Sequence, residues 1–488
     1  MYLGIDIGTS ELKALIIDEQ GEILASGHAA LTVQRPRQHW AEQEPEAWWQ
    51  ATQQVVSDLR QQVPDAWATI RAIGLSGQMH GAVLLDNQGN VLRPCILWND
   101  TRSAEQCAAL TEQHPEFLTV GGNLVMPGFT APKLRWVAEH EPEIFARVDK
   151  VLLPKDYLRW RLSGEFVSDP SDAAGTLWLD VAKRDWSDKL LAATGLNRGQ
   201  MPRLVEGSEV SATLRPALAT EWGLSSGVKI AGGGGDNATS AVGVGAVNNG
   251  DAFISLGTSG VIFVVNDELQ TRPESGVHAF CHALPGRWHQ MSVMLSAASC
   301  LRWVCNLLSV TESQLMEEMA TLSEAQKKRA PIFLPYLSGE RTPHNDAYAM
   351  GSFFALNHET NRALLGYAVI EGVTFGLADG MAVLETSRSR ISQCSLTGGG
   401  ARSAIWAQLI ADVLDVPIVT HPASSSGALG AARLGWLADG GVEEVVCRKP
   451  PVQQRFTPRK ASQGVLQQRL CAFRLLYQQQ KAARKLLP

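Results

Sequence analysis

Three glycine-rich turns and four polar residues carry the chemistry legible in this chain. Gly8-Thr9-Ser10, Gly257-Thr258-Ser259-Gly260 and Gly398-Gly399-Gly400 each follow a strand-like apolar run. A turn that lacks side chains lets backbone N–H groups converge on an anion, and neighbouring hydroxyls add donors. None of the three fits the P-loop or the dinucleotide fingerprint. Structural turns use the same residues, so each alone says little. Set in two halves of one chain, they predict a nucleotide clasped between two domains. Asp6 ends the first strand directly before the first turn, where a carboxylate suits Mg²⁺, and Lys13 follows to neutralise phosphate charge. Asp236 comes straight after Gly232-Gly233-Gly234-Gly235, where backbone can approach a ligand closely. Phosphoryl transfer to an alcohol needs a group that accepts the hydroxyl proton, and Asp takes that role in kinases. On local sequence alone, a turn Asp making an Asx-type hydrogen bond is an equal alternative. Met79 and His80 follow another strand end, where open α/β sheets bind their ligands.

Positioning these groups requires an α/β framework. Tyr2 to Asp6 reads as a strand, Leu12 to Asp18 as its return, and Glu22 to Ala25 as a third. Pro45 suits a first helical position, and Trp48, Ala51, Val55, Val56 and Leu59 recur at helical spacing. Ala72 to Leu75 forms a further strand. Residues 252–265 repeat the opening layout of strand, Gly-Thr-Ser turn and strand, which predicts duplicated domains across a cleft. The expected fold is α/β: two domains, residues 1–245 and 246–450, each a mixed sheet flanked by helices. A helical tail, 451–488, would pack back through Leu466, Leu470, Phe473 and Tyr477. The glycine run at 232–235 reads as a flexing point. The turn at 398–400 should open a helix that runs to Leu414, with Ser403 near its start.

Composition narrows the function. The chain has 488 residues, 45% of them hydrophobic and 19% charged, with a net charge of −6. Mild acidity leaves no electrostatic footprint for nucleic acid or an anionic membrane. No stretch approaches the roughly 18 apolar residues that a membrane span requires. Met1 to Asp6 has no basic region and no targeting character. Eight scattered cysteines fit a reducing cytoplasm. His278-Ala279-Phe280-Cys281-His282 reads as packing rather than a metal cluster, because zinc sites need four well-spaced ligands. A homodimer is the default expectation for a soluble chain.

The motifs resemble a known family. Asp6-Ile7-Gly8-Thr9-Ser10, Gly257-Thr258-Ser259 and Gly398-Gly399-Gly400 are similar to the phosphate and adenosine motifs of the actin-like ATPase superfamily. Within it, Gly128 to His140 matches the first signature of the FGGY carbohydrate kinases. The second signature fits at Gly351-Ser352-Phe353-Phe354, but Ala355 stands where glycine is expected and Leu364 where a polar residue is. Gly77 to Gly81, Leu97 to Arg102, Leu153 to Leu158 and Leu337 to His344 resemble the bacterial members that phosphorylate D-xylulose. The resemblance implies two actin-like (ribonuclease H-like) domains with the active site between them, and transfer of the γ-phosphoryl group of ATP to the sugar. It implies Asp236 as catalytic base, with Met79, His80 and Asn237 contacting the sugar. Gly8, Thr9, Ser10, Lys13, Gly257, Thr258, Ser259, Gly399, Gly400 and Ser403 would hold ATP, and Asp6 its Mg²⁺. The alternatives are another ketose or polyol (ribulose, L-xylulose, glycerol) as acceptor, or a nucleotide switch without kinase activity.

Overall fold

Apolar residues that face inward on both sides make the first hairpin: Tyr2–Ile7 and Glu11–Ile17 run antiparallel, with Asp6 opposite Lys13. The computed structural model describes residues 1–384, 391–422 and 426–486. Around this hairpin lies a seven-stranded mixed sheet. Its order is Val210–Thr213, Lys229–Ala231, Ala72–Gly77, Tyr2–Ile7, Glu11–Ile17 and Ile23–Ala30, with Gly234–Gly235 also paired to Ala72–Gly77. A second seven-stranded sheet has the order His278–Cys281, Trp288–Met294, Gly260–Asn266, Ala252–Leu256, Cys394–Thr397, Ile418–Thr420 and Gln454–Phe456. The repeated layout therefore extends beyond the turns. In each half the first strand pairs antiparallel with its hairpin mate and parallel with a later strand, Ala72–Gly77 in one and Cys394–Thr397 in the other.

Helix Pro45–Gln62 buries Trp48, Ala51, Val55, Val56 and Leu59, the stripe its periodicity predicts. Tail helix Lys460–Arg484 likewise buries Leu466, Leu470, Phe473 and Tyr477 and packs on helix Ala404–Leu414. Helix Ser426–Ala438 lies late in the chain yet packs on the first sheet, against Tyr2–Ile7 and Ala72–Gly77. Its run of alanines and glycines lets the backbones come close: a Cβ on Gly74 would stand 1.6 Å from the Ala431 carbonyl oxygen.

Three expectations need correction. The glycine run is not a loose hinge. A Cβ on Gly232 would lie 2.1 Å from the Glu206 carbonyl oxygen, and one on Gly233 2.3 Å from that of Leu75; these glycines exist for close packing. The turn at 398–400 does not open the helix directly. A 3₁₀ turn, Gly399–Arg402, intervenes, and Ser403 caps helix Ala404–Leu414 by accepting the Trp406 N–H at 3.2 Å. Finally, helix Arg362–Leu384 is long and apolar enough to cross a membrane by length and composition, but 89% of its most apolar window is buried inside the protein. Glu371 and Asp379 interrupt its apolar run, so no unbroken stretch stands out in the sequence.

Candidate active site

Parallel strands Tyr2–Ile7, Ala72–Gly77 and Gly234–Gly235 bring their C-terminal ends together, with Asp6 beside Ser76 and Gly77 beside Gly235. Ligands gather at this end of an open α/β sheet. The topology thus brings Asp6, Met79, His80, Asp236 and Asn237 to one edge, each just at or beyond a strand end. Asp236 is the first residue of helix Asp236–Gly243. Its Oδ1 accepts the Asn237 backbone N–H at 2.7 Å and the Asn237 side-chain amide at 2.9 Å. Burial pushes the Asp236 carboxyl up to about 7, the Asp6 charge adds to the rise, and the Asn237 donors hold it back. A carboxylate tuned to that range is suited to general-base work near neutral pH.

Asp6 is raised above the usual carboxylate range, chiefly by burial, with Ser76 and Lys13 pulling it back. The Ser76 hydroxyl donates to its Oδ1 at 2.8 Å. A Cβ on Gly427 would stand 2.5 Å from Oδ2, so the start of helix Ser426–Ala438 is pressed against this carboxylate. The positive end of that helix complements the negative charge.

His80 has a left-handed backbone, φ 71°. Its carbonyl accepts from Lys133 Nζ at 2.9 Å and Thr130 Oγ1 at 3.1 Å, which holds the strained residue in place. Its Nδ1 lies 2.7 Å from the Gly175 carbonyl oxygen. A carbonyl only accepts, so Nδ1 carries the hydrogen and Nε2 is left as an acceptor. Burial drives the ring's pKa down to about 3, with the Lys133 ammonium contributing. The ring is therefore neutral at working pH. It lines a chamber with Trp98, Phe129 and Arg341, whose free volume is only about 30 Å³, one water's share of the liquid. Anything larger than a water enters there only if the walls part. Met79 lies just outside, its sulfur 2.9 Å from where a Cβ on Gly235 would be.

The first turn is closed by the Gly8 N–H donating to the Glu11 carbonyl at 3.0 Å. Thr9 is committed to the first half: its hydroxyl donates to Gln78 Oε1 at 3.1 Å and accepts from Trp98 Nε1 at 2.9 Å. Ser10 is exposed. Lys13 pairs with Glu11 at 2.8 Å and lines a cleft of about 920 Å³, shared with Gly398, Gly399 and Arg402 of the second half. Gly257, Thr258, Gly399, Gly400 and Ser403 line a separate cavity of about 780 Å³. Ser259 closes its turn by accepting the Gly257 N–H at 3.0 Å. Gly398, at φ 87° with Leu256 backbone 2.6 Å from a would-be Cβ, requires glycine on both counts.

Gln78, Trp98, Lys133 and Arg341 belong to the site but carry no assigned role in the sequence reading. All lie within the segments whose resemblance was noted, and that was the available signal.

The two halves of the molecule can now be matched to known proteins. Residues 1–243 match the FGGY family of carbohydrate kinases, N-terminal domain, and residues 252–438 its C-terminal domain. The chain belongs to the FGGY family of carbohydrate kinases. A curated xylulose kinase of Escherichia coli (strain K12) is 50% identical over 483 residues, covering 98% of this kinase and 99% of that protein. A crystal structure described as a xyloylose kinase from Brucella ovis is 49% identical with a TM-score of 0.96 and covers 99% of both chains. A gluconate kinase from Lactobacillus acidophilus, 26% identical, superposes with a TM-score of 0.91 over 97% of this kinase and 96% of that chain. The architecture is thus shared by members named for different substrates. As a carbohydrate kinase, this chain takes a sugar and ATP.

The two departures in the second signature have distinct structural outcomes. Ala355 sits in the left-handed region at φ 67°, where glycine would be at ease. Leu364 is buried in the core of the second half, where an apolar side chain packs well.

Proposed function

We propose that this kinase transfers the γ-phosphoryl group of ATP to the terminal hydroxyl of D-xylulose, releasing D-xylulose 5-phosphate and ADP. The observation that carries the sugar is the 50% identity, over nearly the full length of both chains, to a protein named xylulose kinase. In this reading, Asp236 takes the hydroxyl proton as the sugar oxygen bonds to the γ-phosphorus and the bond to the β,γ-bridging oxygen breaks. His80 Nε2 accepts from a sugar hydroxyl, and Met79 and Asn237 complete the contact. Gly399, Gly400 and Ser403 hold the adenosine. Gly8, Thr9, Ser10, Lys13, Gly257, Thr258 and Ser259 surround the phosphates, Thr9 through its backbone because its hydroxyl is already engaged.

The residues also fit Mg²⁺. Among the described residues no group of three or more His, Cys, Asp or Glu is gathered for a metal. Mg²⁺ commonly takes one or two carboxylates, with phosphate oxygens and water completing its shell. Asp6, with one oxygen held by Ser76, would be that carboxylate. Bound there, the ion would neutralise charge on the phosphates. A cytoplasmic homodimer completes the proposal; the buried thiols of Cys95, Cys107, Cys281, Cys300, Cys305 and Cys447 suit a reducing compartment.

The test is ADP release with Mg²⁺-ATP across D-xylulose, D-ribulose, L-ribulose, L-xylulose, glycerol and no sugar. A clear D-xylulose preference is expected. Preference for another acceptor would move the sugar assignment within the family, and sugar-independent release would favour a nucleotide switch.

A further inference from the structure

Behind the base lies a buried ionic cluster that the mechanism does not use. Lys155 Nζ is 2.7 Å from Asp156 Oδ1, 2.8 Å from Asp169 Oδ1 and 2.9 Å from Asp172 Oδ2, and all four side chains are fully buried. Arg159 joins them and donates to the carbonyls of Ala231 and Gly232, just upstream of the base. Burial raises Asp172 well above the usual carboxylate range, with Asp156 and Asp169 adding to the rise. With a proton on Asp172, the three carboxyls and two cations sum to zero. So much buried charge is costly to assemble, and replacing such groups by apolar ones is often neutral or stabilising. A geometric role would explain it better than stability.

The cluster points at the residue before the base. Asp169 Oδ2 accepts both the backbone N–H of Ser171, at 2.8 Å, and its hydroxyl. The Ser171 hydroxyl hydrogen is thereby committed to Asp169, which turns an oxygen lone pair toward its other partner. That partner is the Gly235 N–H, at 3.2 Å. The same short helix, Pro170–Ala174, leads directly into Gly175, whose carbonyl sets the His80 tautomer. The base and the sugar-facing imidazole thus hang from one buried scaffold.

We propose that Ser171, oriented by Asp169 and anchored through Lys155, is a positioning residue for the catalytic base: it fixes the Gly235 amide and so aims the Asp236 carboxylate. This rests on the reading of Asp236 as the base. Catalytic geometry is unforgiving, since a displacement of about 1 Å can cost on the order of 100-fold in rate.

The experiment is a double-mutant cycle on the full-length enzyme. Labelled phosphoryl transfer gives kcat and both KM values for wild type, Ser171→Ala, Asp236→Asn and the double variant, and thermal midpoints report folding. Ser171→Ala should lower kcat by about 10-fold or more while KM for ATP stays within about two-fold. In the Asp236→Asn background the same change should cost less than about two-fold, because coupled residues are not additive. Equal losses in both backgrounds, or wild-type kcat in Ser171→Ala, would overturn the proposal. Wild-type turnover in Asp236→Asn would instead overturn the base reading, whatever Ser171 does. If Ser171→Ala does not fold, Ser171→Cys, similar in volume but a weaker acceptor, takes its place in the same cycle.

Discussion

The carboxylate of Asp6 opposes that of Asp236, and this repulsion adds to burial in lifting Asp236 to about 7. Both residues stand at the ends of parallel strands that flank Ala72–Gly77. A base must be deprotonated to work, so a raised pKa places the acid limb of activity unusually high for a carboxylate. We expect kcat/KM for the sugar to fall about ten-fold per pH unit once the pH drops below about 7. A limb at pH 4, the ordinary carboxylate range, would show that Asp236 does not govern it.

His80 should affect sugar use without affecting ATP. Its ring lines the chamber with Trp98 and Arg341 and is not part of the cavity lined by Gly399 and Gly400. His80→Ala is expected to raise KM for the sugar by about 10-fold or more, with KM for ATP within about two-fold, because one buried hydrogen bond is worth roughly 1–3 kcal/mol. Its depressed pKa, about 3, adds a second expectation. The imidazole stays neutral through the range where a free histidine titrates, so no step in sugar KM should appear near pH 6.5, the ordinary histidine value. Steady-state kinetics across pH measure both; parallel losses for sugar and ATP would undercut the assignment.

How much of this was readable beforehand depended on whether a feature was local. The stripe Trp48, Ala51, Val55, Val56 and Leu59, and the tail positions Leu466, Leu470, Phe473 and Tyr477, follow from periodicity alone. The two strands were equally plain, although they run on to Ile7 and Gly77 rather than stopping at Asp6 and Leu75. The glycine run misled, because flexibility and close packing use the same residue and only the neighbours, Glu206 and Leu75, distinguish them. The link from Ser171 to Gly235 spans 64 positions, and no local pattern announces such a contact. Arg341 reaches the His80 chamber from the other half of the chain, which again only the folded structure reveals.

Ala355 is a strained residue that can be relieved. Its φ of 67° lies where an L side chain crowds the following carbonyl. Ala355→Gly should stabilise the fold by about 0.5–1 kcal/mol, the relieved strain being partly offset by the entropy glycine loses on folding. Denaturant unfolding read at the transition midpoint tests this. A lower midpoint would mean that the neighbouring structure already accommodates the alanine without cost.

Gly74 presents the opposite case. It lies on strand Ala72–Gly77 where helix Ser426–Ala438 crosses, and a Cβ there would fall 1.6 Å from the Ala431 carbonyl oxygen and 3.0 Å from the Gly435 nitrogen. Neither neighbour is a flexible side chain that can swing aside, so the helix itself must move off the sheet. That helix also meets Asp6 at its start, so the displacement would reach the active site. Gly74→Ala is expected to cost about 3 kcal/mol or more, the upper end for overpacking, and to lower kcat in the protein that still folds. Gly464 supplies the internal control: it sits in helix Lys460–Arg484 with nothing within 4 Å of a would-be Cβ. Gly464→Ala should be neutral or stabilise by about 0.5–1 kcal/mol, since alanine orders more readily in a helix. Thermal midpoints of the two variants, measured side by side, decide the matter. A Gly74→Ala protein melting with the wild type would mean that the helix–sheet contact is not as close as it stands here.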